Sequence, residues 1–401
     1  MVRYNHLPLL LAPVRDETSL RAAIQAGADA VYFGVGFLNM RASSKGISLV
    51  RLKKAVTLAH EHQVKVYITV NVIVYEQELS LLENLLKKLK ISGVDAVICW
   101  DSAVIKLAKK IGLPIHISTQ ASIANSQAVL FYKKLGAQCV VLARECNLKQ
   151  IKAIKQKTKM KIEVFVHGAM CVSISGRCFL SQSLYGKSAN RGECQQPCRR
   201  EYLIIDQQTK KELIVGCGYV LSPKDLCTLP ILQELVATGV DVLKIEGRGR
   251  STDYIYEVVA AYRQALDAIK KNKYSAVLQQ QLMKQVEQVY NRHFSTGFFV
   301  AKPGAEAWSN SSGNQAKQQR EYVGMVTHYY PKKQIVQIQI ANPVQTGNKL
   351  HIQGSTTGLV ELILPEFWLN NQAVNTAKNR DEITFVSAQR FRKNDVVYKL
   401  K

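Results

Sequence analysis

The chain has 401 residues, of which 47% are hydrophobic and 21% charged, a composition typical of a globular protein with a sizeable core. It contains no run of 18 or more apolar residues, so no transmembrane helix is expected. Lysine and arginine outnumber aspartate and glutamate by 54 to 30, and the formal charge of +24 favours a polyanionic partner, nucleic acid before anionic lipid.

The nine cysteines are an odd number and occur without an export signal. The apolar stretch 7–13 is too short for a signal sequence and is interpreted as a strand. We therefore expect a reducing, cytoplasmic environment in which the cysteines serve metal or redox chemistry and not disulfides.

Short apolar runs alternate with helical patterns through the first 250 residues or so. The runs predict eight buried parallel strands, at 9–12, 30–34, 65–70, 95–100, 115–118, 139–143, 161–166 and 242–246. Helical patterns follow seven of them, at 17–26, 49–63, 77–91, 102–110, 127–135, 148–158 and 251–270. Eight such units predict an α/β fold, a (β/α)8 TIM-like barrel. The alternative is an open doubly wound sheet, but no Gly-x-Gly-x-x-Gly turn follows any of these strands.

Polar and charged side chains stand at or just past the ends of these runs, where the strands of a barrel converge on one mouth. Helix capping accounts for some of the short polar residues but poorly for the charged ones and the histidine. We predict catalytic roles for His167, Glu246 and Arg248. We predict substrate contacts for Asn71, Gln120, Arg144, Glu145 and Arg177.

The pattern changes after residue 300, which ends the predicted barrel domain (1–300). Residues 301–320 are rich in Ser, Asn, Gly and Gln, as expected of an interdomain linker. From 321 to 401, turn residues separate short apolar runs at 322–328, 334–340, 349–353, 358–364, 382–385 and 396–399. These runs predict a small antiparallel β-barrel domain, which either binds RNA or packs against the catalytic domain.

The segment 165–200 carries four cysteines at the spacing Cys171-x6-Cys178-x15-Cys194-x3-Cys198, and Cys217 and Cys227 follow. The intervening glycines, proline and polar residues predict a loop with little apolar surface, which a metal centre can hold in place. Only Cys194 and Cys198 have the short spacing typical of zinc, so the pattern favours a [4Fe–4S] cluster over structural zinc. Spacing leaves Cys198 and Cys227 as alternatives for the fourth ligand.

Arginines are interleaved with these thiols at 177, 191, 199 and 200. They would offset the negative charge of a thiolate-bound cluster, or hold phosphate or carboxylate oxygens. A different use of the segment is nucleophilic catalysis, with Cys171 as the nucleophile and His167 as its base. That use would remove Cys171 as a metal ligand, so the two hypotheses exclude each other.

Longer motifs surround the cysteines: His167-Gly168-Ala169-Met170-Cys171, Gly176-Arg177-Cys178, Asn190-Arg191-Gly192-Glu193-Cys194, Asp225-Leu226-Cys227 and Lys244-Ile245-Glu246-Gly247-Arg248. With the stretches around them, from about residue 9 to residue 298, they resemble the collagenase-like peptidase family U-32. The resemblance implies an RNA or quinone hydroxylation enzyme with four cysteines on an iron–sulfur cluster. The resemblance is strongest to the branch of this family that forms 5-hydroxyuridine at the wobble position of tRNA and depends on prephenate.

The resemblance also implies a ligand set for the [4Fe–4S] cluster. Cys171, Cys178 and Cys194 are three of the ligands in this comparison. The fourth comes from the later Asp-Leu-Cys motif, which ranks Cys227 above Cys198.

The resulting hypothesis is a tRNA uridine hydroxylase that depends on the [4Fe–4S] cluster and on prephenate, a small organic acid co-substrate. Its basic surface would bind the flanking phosphates while an exposed loop base enters the barrel mouth. The alternatives are hydroxylation of a ribosomal cytidine, a collagenase-like peptidase, and a non-catalytic RNA-binding protein whose loop is held by zinc.

Overall fold

The computed structural model describes residues 7–42, 46–212 and 219–401, so Cys217 lies outside the described residues. The first part of the chain alternates strands and helices. In chain order they are β1 (Leu9–Pro13), α1 (Glu17–Gln25), β2 (Ala30–Gly34), α2 (Leu49–Glu61), β3 (Lys65–Thr69), α3 (Leu79–Ile91), β4 (Ala96–Cys99), α4 (Ser102–Ile111), β5 (Ile115–Ile117), α5 (Ser126–Lys134), β6 (Ala137–Val141), α6 (Leu148–Thr158), β7 (Lys161–Gly168), α7 (Leu180–Tyr185), β8 (Asp225–Cys227), α8 (Leu232–Ala237), β9 (Val242–Ile245), α9 (Thr252–Lys270), α10 (Ala276–Glu287) and β10 (Phe294–Ser295).

Eight parallel strands close into a barrel. Strands β1 to β7 pair in chain order, and β9 pairs with both β1 and β7, which completes the ring. Leu243 of β9 lies opposite Leu10 on one side and Val164 on the other. The eight strands are those predicted from the apolar runs, so the TIM-like barrel is confirmed.

Side-chain caps explain where several helices begin. Short polar side chains accept a hydrogen bond from a backbone N–H in the first turn of the helix that follows them, at Asp16, Asp101, Asn125 and Asn147. Such residues between strand and helix therefore have a structural role. Among the described residues, no helix is long and apolar enough to cross a membrane.

Strands β8 and β10 form a small flap beside the barrel. β8 pairs antiparallel with the last residues of β7, His167 with Cys227 and Gly168 with Leu226, and β10 pairs parallel with β8. The flap was not predicted, because each strand has at most three residues and gives no measurable alternation.

Two apolar layers stabilise the barrel. The larger lies between the strands and the surrounding helices, and a smaller one inside the barrel includes Leu11, Tyr67 and Ile98. The interior also holds a buried ion pair, Lys244 Nζ to Glu163 Oε1 at 2.6 Å. The strands are therefore apolar on the face that packs against the helices and partly polar on the face inside the barrel.

The C-terminal part of the chain is an antiparallel β domain, as predicted. Its strands are β11 (Arg320–Tyr330), β12 (Ile335–Ile340), β13 (Val344–Gln345), β14 (Lys349–Gly354), β15 (Gly358–Ile363), β16 (Phe367–Leu369), β17 (Gln372–Val374), β18 (Thr376–Ala377), β19 (Glu382–Val386) and β20 (Val396–Leu400). Eight of them pair in the order β15-β14-β20-β11-β12-β19-β16-β17, and β13 pairs with β18. The order has two ends, β15 and β17, and no pairing among the described strands joins these ends to close a barrel. Strand β20, the last in the chain, lies between β14 and β11.

The β domain rests on helices α1 and α9. Gln25 donates through Nε2 to the backbone oxygen of Thr357 at 2.9 Å and accepts through Oε1 from the backbone N–H of Leu359 at 3.0 Å. Arg320 Nη1 lies 2.8 Å from Asp253 Oδ1 on α9. The segment predicted as a linker, 301–320, follows the barrel surface, where the Ser309 N–H donates to the Ser222 backbone oxygen at 2.7 Å.

A buried ion pair fastens the flap, and its removal should be costly. Arg292 donates through Nε and Nη2 to Asp225 Oδ1, at 3.1 and 2.7 Å, and both side chains are at most 4% exposed. Asp225→Asn would leave the guanidinium buried without its counter-charge, and we expect a loss of about 3–5 kcal/mol in the free energy of unfolding from urea titration. The matched control is Glu287→Gln, whose partner Lys317 is 61% exposed. It should cost about 0.5 kcal/mol or less, and equal losses in the two variants would contradict the prediction.

Candidate active site

A cavity of about 180 Å³ opens at the carboxyl ends of the barrel strands. Side chains from β2 to β7 and β9, or from the loops just after them, line it together with the cysteine segment. Seven of the eight strand ends therefore contribute to one cavity, which is the arrangement that parallel barrel strands make available.

Four cysteines line this cavity as free thiols: Cys171, Cys178, Cys194 and Cys198. They come from a segment with only one helix of six residues, α7, and otherwise short turns. Soft thiolate donors on one cavity wall are a ligand set for an iron–sulfur cluster or for zinc.

Two arginines hold the cysteine segment on the barrel. Arg191 donates to the carboxylate of Glu78, with Nη1 3.1 Å from Oε2, and to the backbone oxygen of Ile73. Arg199 donates to the backbone oxygen of Met170. Both were predicted to balance cluster charge or to bind anions. Both are donors to groups of the protein and so position the cysteines, and the charge of Arg199 also acts on the Cys198 thiol.

The donor set of the cavity consists of four thiols. Among the described residues, no three of the four cavity sulfurs lie within 4.8 Å of one another. Thiolates are the ligands of a [4Fe–4S] cluster, in which each binds a different iron, and they are also ligands of structural zinc. The residues present therefore fit either centre.

Cys198 belongs to this set. Burial raises the pKa of its thiol, Arg199 opposes the rise, and negative charge on the other three cavity cysteines adds to it. Cys198 therefore lies close enough to the other three cavity sulfurs for negative charge on them to act on its thiol.

Cys227 is not among the residues that line the cavity, whereas Cys198 is. The Cys227 Sγ lies 3.6 Å from Met283 Sδ and 3.9 Å from Tyr262 Oη, among side chains of α10 and α9. The short strand β8, which pairs antiparallel with β7, holds this cysteine of the Asp-Leu-Cys motif opposite His167. The ranking of Cys227 above Cys198 as fourth ligand stays a prediction of the resemblance, and the placement of the two thiols favours Cys198.

The cavity wall is cationic: Arg41, Arg144, Lys244 and Arg248 line it. Arg248 is 9% exposed and donates to Thr69 Oγ1 at 2.6 Å, and burial lowers its pKa to about 10, so it stays charged at neutral pH. Arg144 packs on the ring of Phe165 at 4.1 Å and donates to the Ala169 backbone oxygen at 2.5 Å. These fixed cations suit carboxylate or phosphate groups.

Glu246 lines the cavity among these cations, as predicted, and is an ionised carboxylate. Its Oε1 is 3.4 Å from Arg41 Nη2. Burial alone would raise its pKa, but Arg41, Arg250, Arg144 and Arg248 outweigh burial and hold the pKa below its usual value. The carboxylate is therefore available as a hydrogen-bond or proton acceptor.

Asn71 and Gln120 also line the cavity, with 5% and 7% of their surfaces exposed. Asn71 Nδ2 lies 3.5 Å from Gln120 Oε1, and Asn71 Oδ1 accepts from the Met40 N–H at 3.2 Å. The pair places amide donors and acceptors beside the cations, which is the chemistry needed to read the edge of a planar polar ring.

Glu145 and Arg177, both predicted substrate contacts, brace the cysteine segment. Glu145 lines the cavity, but its carboxylate accepts from the backbone N–H and the hydroxyl of Ser175, both at 3.4 Å. Arg177 is exposed and is absent from the described cavity wall. Its guanidinium lies 4.7 Å from the Trp100 ring and donates to the Gln120 backbone oxygen. The structure therefore does not support a substrate contact for Arg177.

His167, for which a catalytic role was predicted, is not among the residues that line the cavity. Its ring packs among Tyr254, Tyr262 and Phe294, with centroids 5.3 to 6.0 Å away. A register shift in the pairing of β7 with β9, between Phe165 and His167, accounts for this outward direction. Burial lowers the pKa of His167 to about 3, with Arg250 adding to the shift and Glu246 opposing it, so the imidazole is neutral.

Several residues that line the cavity were not predicted from the sequence, among them Tyr32, Arg41 and Lys244. Lys244 gave a usable signal, because a lysine inside a buried apolar strand needs a partner or a function. Tyr32 gave no such signal, since a tyrosine in a buried strand is ordinary. Arg41 lies in the loop after β2, and the sequence does not predict the course of that loop.

Comparison with known proteins places the chain in a family. Residues 15–309 match the profile of Peptidase family U32. The chain belongs to this family. The resemblance inferred from the cysteine motifs is thereby confirmed.

Relatives within the U32 family carry names of different activities. The chain is 34% identical to a collagenase of Porphyromonas gingivalis over 97% of both chains. It is 32% identical to tRNA hydroxylation protein P1 of Bacillus subtilis, over 86% of this chain and 83% of that protein. It is 39% identical to the 23S rRNA 5-hydroxycytidine C2501 synthase of Escherichia coli, over 66% of this chain and 40% of the longer protein. The U32 family thus includes proteins named for RNA hydroxylation and proteins named for proteolysis.

The placement of the thiols gives a direct test of the fourth ligand. If the four cavity cysteines hold the cluster, Cys198→Ser should lose most of the iron of anaerobically purified protein, while Cys227→Ser should keep it, because its sulfur faces Met283. Iron per chain, measured by elemental analysis, checks both. Loss of iron in Cys227→Ser with retention in Cys198→Ser would contradict this placement.

The buried His167 should make the protein sensitive to acid. Its pKa is about 3 in the folded chain, against about 6.5 in an unfolded one. Below pH 6.5 the unfolded chain takes up a proton that the folded chain does not, so stability falls as the pH drops toward 3 and is unaffected above 6.5. Between pH 7 and pH 5 this histidine should account for a loss of about 2 kcal/mol in the free energy of unfolding.

His167→Phe should remove that part of the pH dependence, since its Nδ1 has no partner and an aromatic ring fills the site. Urea titrations at pH 7 and pH 5 measure the effect. The control is His62→Gln, an exposed histidine, which should keep the wild-type pH dependence. An unchanged dependence in His167→Phe would show that the imidazole is protonated in the folded protein.

Proposed function

We propose that this protein is an RNA-modifying enzyme that hydroxylates the wobble uridine of tRNA to 5-hydroxyuridine, with a [4Fe–4S] cluster and with prephenate as co-substrate. One observation carries the proposal: four free thiols and four cationic side chains line a single cavity at the barrel mouth. Relatives named for tRNA and rRNA hydroxylation support the choice of RNA.

Cys171, Cys178, Cys194 and Cys198 would hold the cluster. Replacing C–H by C–OH on a base is a two-electron oxidation that requires an oxygen donor and an electron acceptor from outside the chain. A bound [4Fe–4S] cluster would supply one-electron transfer. The chain's own residues hold the reactants: Arg199 and Arg191 keep the thiols at the cavity, and the buried wall excludes bulk water.

The cationic wall suits the organic acid. Arg248 and Arg144 are fixed by their contacts with Thr69 and Phe165, so they are in place before a carboxylate arrives. Prephenate carries two carboxylates, and guanidinium groups bind carboxylates through paired hydrogen bonds. Glu246 remains ionised beside them and can accept a proton from a bound reactant.

The amides suit the base. A uridine in an exposed anticodon loop can leave its stack and enter the cavity, where Asn71 and Gln120 offer donors and acceptors to its edge. The overall charge of +24 favours binding of the flanking phosphates. A tRNA substrate would place this activity in the cytoplasm.

A cysteine peptidase is the alternative that the collagenase-named relative raises. Such an enzyme needs a base beside its nucleophile. His167 packs against Tyr262 and Phe294, and no histidine is among the described residues that line the cavity. The Cys171–His167 pair is therefore absent from the described structure, which favours hydroxylation.

Cys171→Ala should abolish 5-hydroxyuridine in tRNA from cells that depend on this gene, because it removes a cluster ligand at the cavity. Mass spectrometry of digested tRNA checks the result. The matched control is Cys146→Ala, a cysteine that is 2% exposed and outside the described cavity wall, which should leave the modification unchanged.

Other results would redirect the assignment. Loss of 5-hydroxycytidine from 23S rRNA, with tRNA unchanged, would identify the ribosomal substrate. Normal levels of both nucleosides in Cys171→Ala, with proteolysis by the purified iron-free protein, would support the peptidase.

A further inference from the structure

A second group of potential ligands lies inside the barrel and has no part in the chemistry above. His116 on β5, Cys139 on β6 and Glu163 on β7 each place a ligand atom within 4.8 Å of the other two. The three strands are neighbours in the ring, and His116 is directly opposite Cys139 in the register. The side chains are 7%, 0% and 0% exposed.

Two polar atoms of this group are buried without a partner: His116 Nδ1 and Glu163 Oε2. A buried polar atom that forms no hydrogen bond costs roughly 1–3 kcal/mol. Both residues belong to the same ligand group, so one group bound between them would satisfy both atoms.

We propose that His116, Cys139 and Glu163 bind a transition-metal ion of the zinc type inside the barrel, at a site separate from the cysteine cavity. Imidazole nitrogen, thiolate sulfur and carboxylate oxygen are the three donor types that zinc uses in proteins. Three protein ligands leave one coordination position for water. The site does not depend on the proposed RNA chemistry.

Lys244 supports this arrangement although it is a cation. It donates to Glu163 Oε1 at 2.6 Å, which orients the carboxylate and leaves Oε2 free. Carboxylates that bind metals are commonly held in this way by a second hydrogen-bond partner. The thiolate and the carboxylate would offset the divalent ion, which leaves the single positive charge of Lys244. The Lys244 Nζ lies 4.3 Å from the centroid of the Tyr32 ring and 5.3 Å from that of Phe165, and these aromatic faces attract the remaining charge.

A buried water is the competing occupant, because a water can join His116 and Glu163 by hydrogen bonds. The thiol of Cys139 distinguishes the two, since it is a weak hydrogen-bond partner for water and a strong ligand for zinc. The other described ligand group, Glu257, His351 and Glu361, has one buried atom without a partner, His351 Nδ1, but the facing groups satisfy one another and Glu361 is exposed. There His351 Nε2 lies 3.1 Å from Glu361 Oε2, and Gln285 donates to Glu257 Oε2 at 2.8 Å.

The test measures zinc and iron together on the full-length protein, purified anaerobically, incubated with Zn²⁺ and dialysed. We expect about one zinc per chain in the wild type. Cys139→Ser should lose that zinc while its iron content stays at the wild-type level. The control is Cys99→Ser, a buried cysteine on β4 that belongs to neither described ligand group, and it should keep both metals.

Crystals of the wild type give a second measurement that does not depend on the variants. Anomalous scattering at the zinc edge should place a peak between His116, Cys139 and Glu163. Its absence after soaking with Zn²⁺, or equal zinc content in the wild type and Cys139→Ser, would overturn the proposal. Nucleoside analysis and iron content test the proposed RNA function separately.

Discussion

Pairing of β9 with both β1 and β7 is the constraint on which the cavity depends. Leu243 contacts the backbone of both neighbours, and the strand that it belongs to runs directly into Glu246 and Arg248. Without this closure, the end of β9 would not face the ends of β3 and β6. Arg248 could then not donate to Thr69, and the charge of Arg144 could not lower the pKa of Glu246. The closed ring of strands brings residues that are distant in sequence together around one charged cavity.

The cysteine segment is held differently from the barrel. It has few buried apolar side chains, and its position depends on donors that reach backbone oxygens, such as Arg199 to Met170 and Arg177 to Gln120. Such hydrogen bonds position the cysteine segment although it buries little apolar surface. A bound metal centre would therefore contribute much of the stability of this segment. Arginines that the sequence suggested as partners for the cluster or for anions thus also serve the placement of the thiols.

Most of the barrel could be predicted from the sequence because its strands are buried runs of a regular period. The eight strands and their helices follow from that pattern, and so do Glu246, Arg248, Asn71 and Gln120 as cavity residues. The directions of His167 and Cys227 could not be predicted. Each depends on an irregularity, a register shift in β7 and the short antiparallel strand β8, that a pattern with a period of two residues does not contain.

We propose that the four thiols at the cavity hold a cluster required for RNA hydroxylation. The iron and acid-labile sulfide content of anaerobically purified wild-type protein tests this, when it is measured alongside hydroxylation of unmodified tRNA by the same protein. We expect about four irons and four sulfides per chain, with activity lost in proportion as the iron is removed. Iron-free protein that hydroxylates tRNA at the full rate would contradict it.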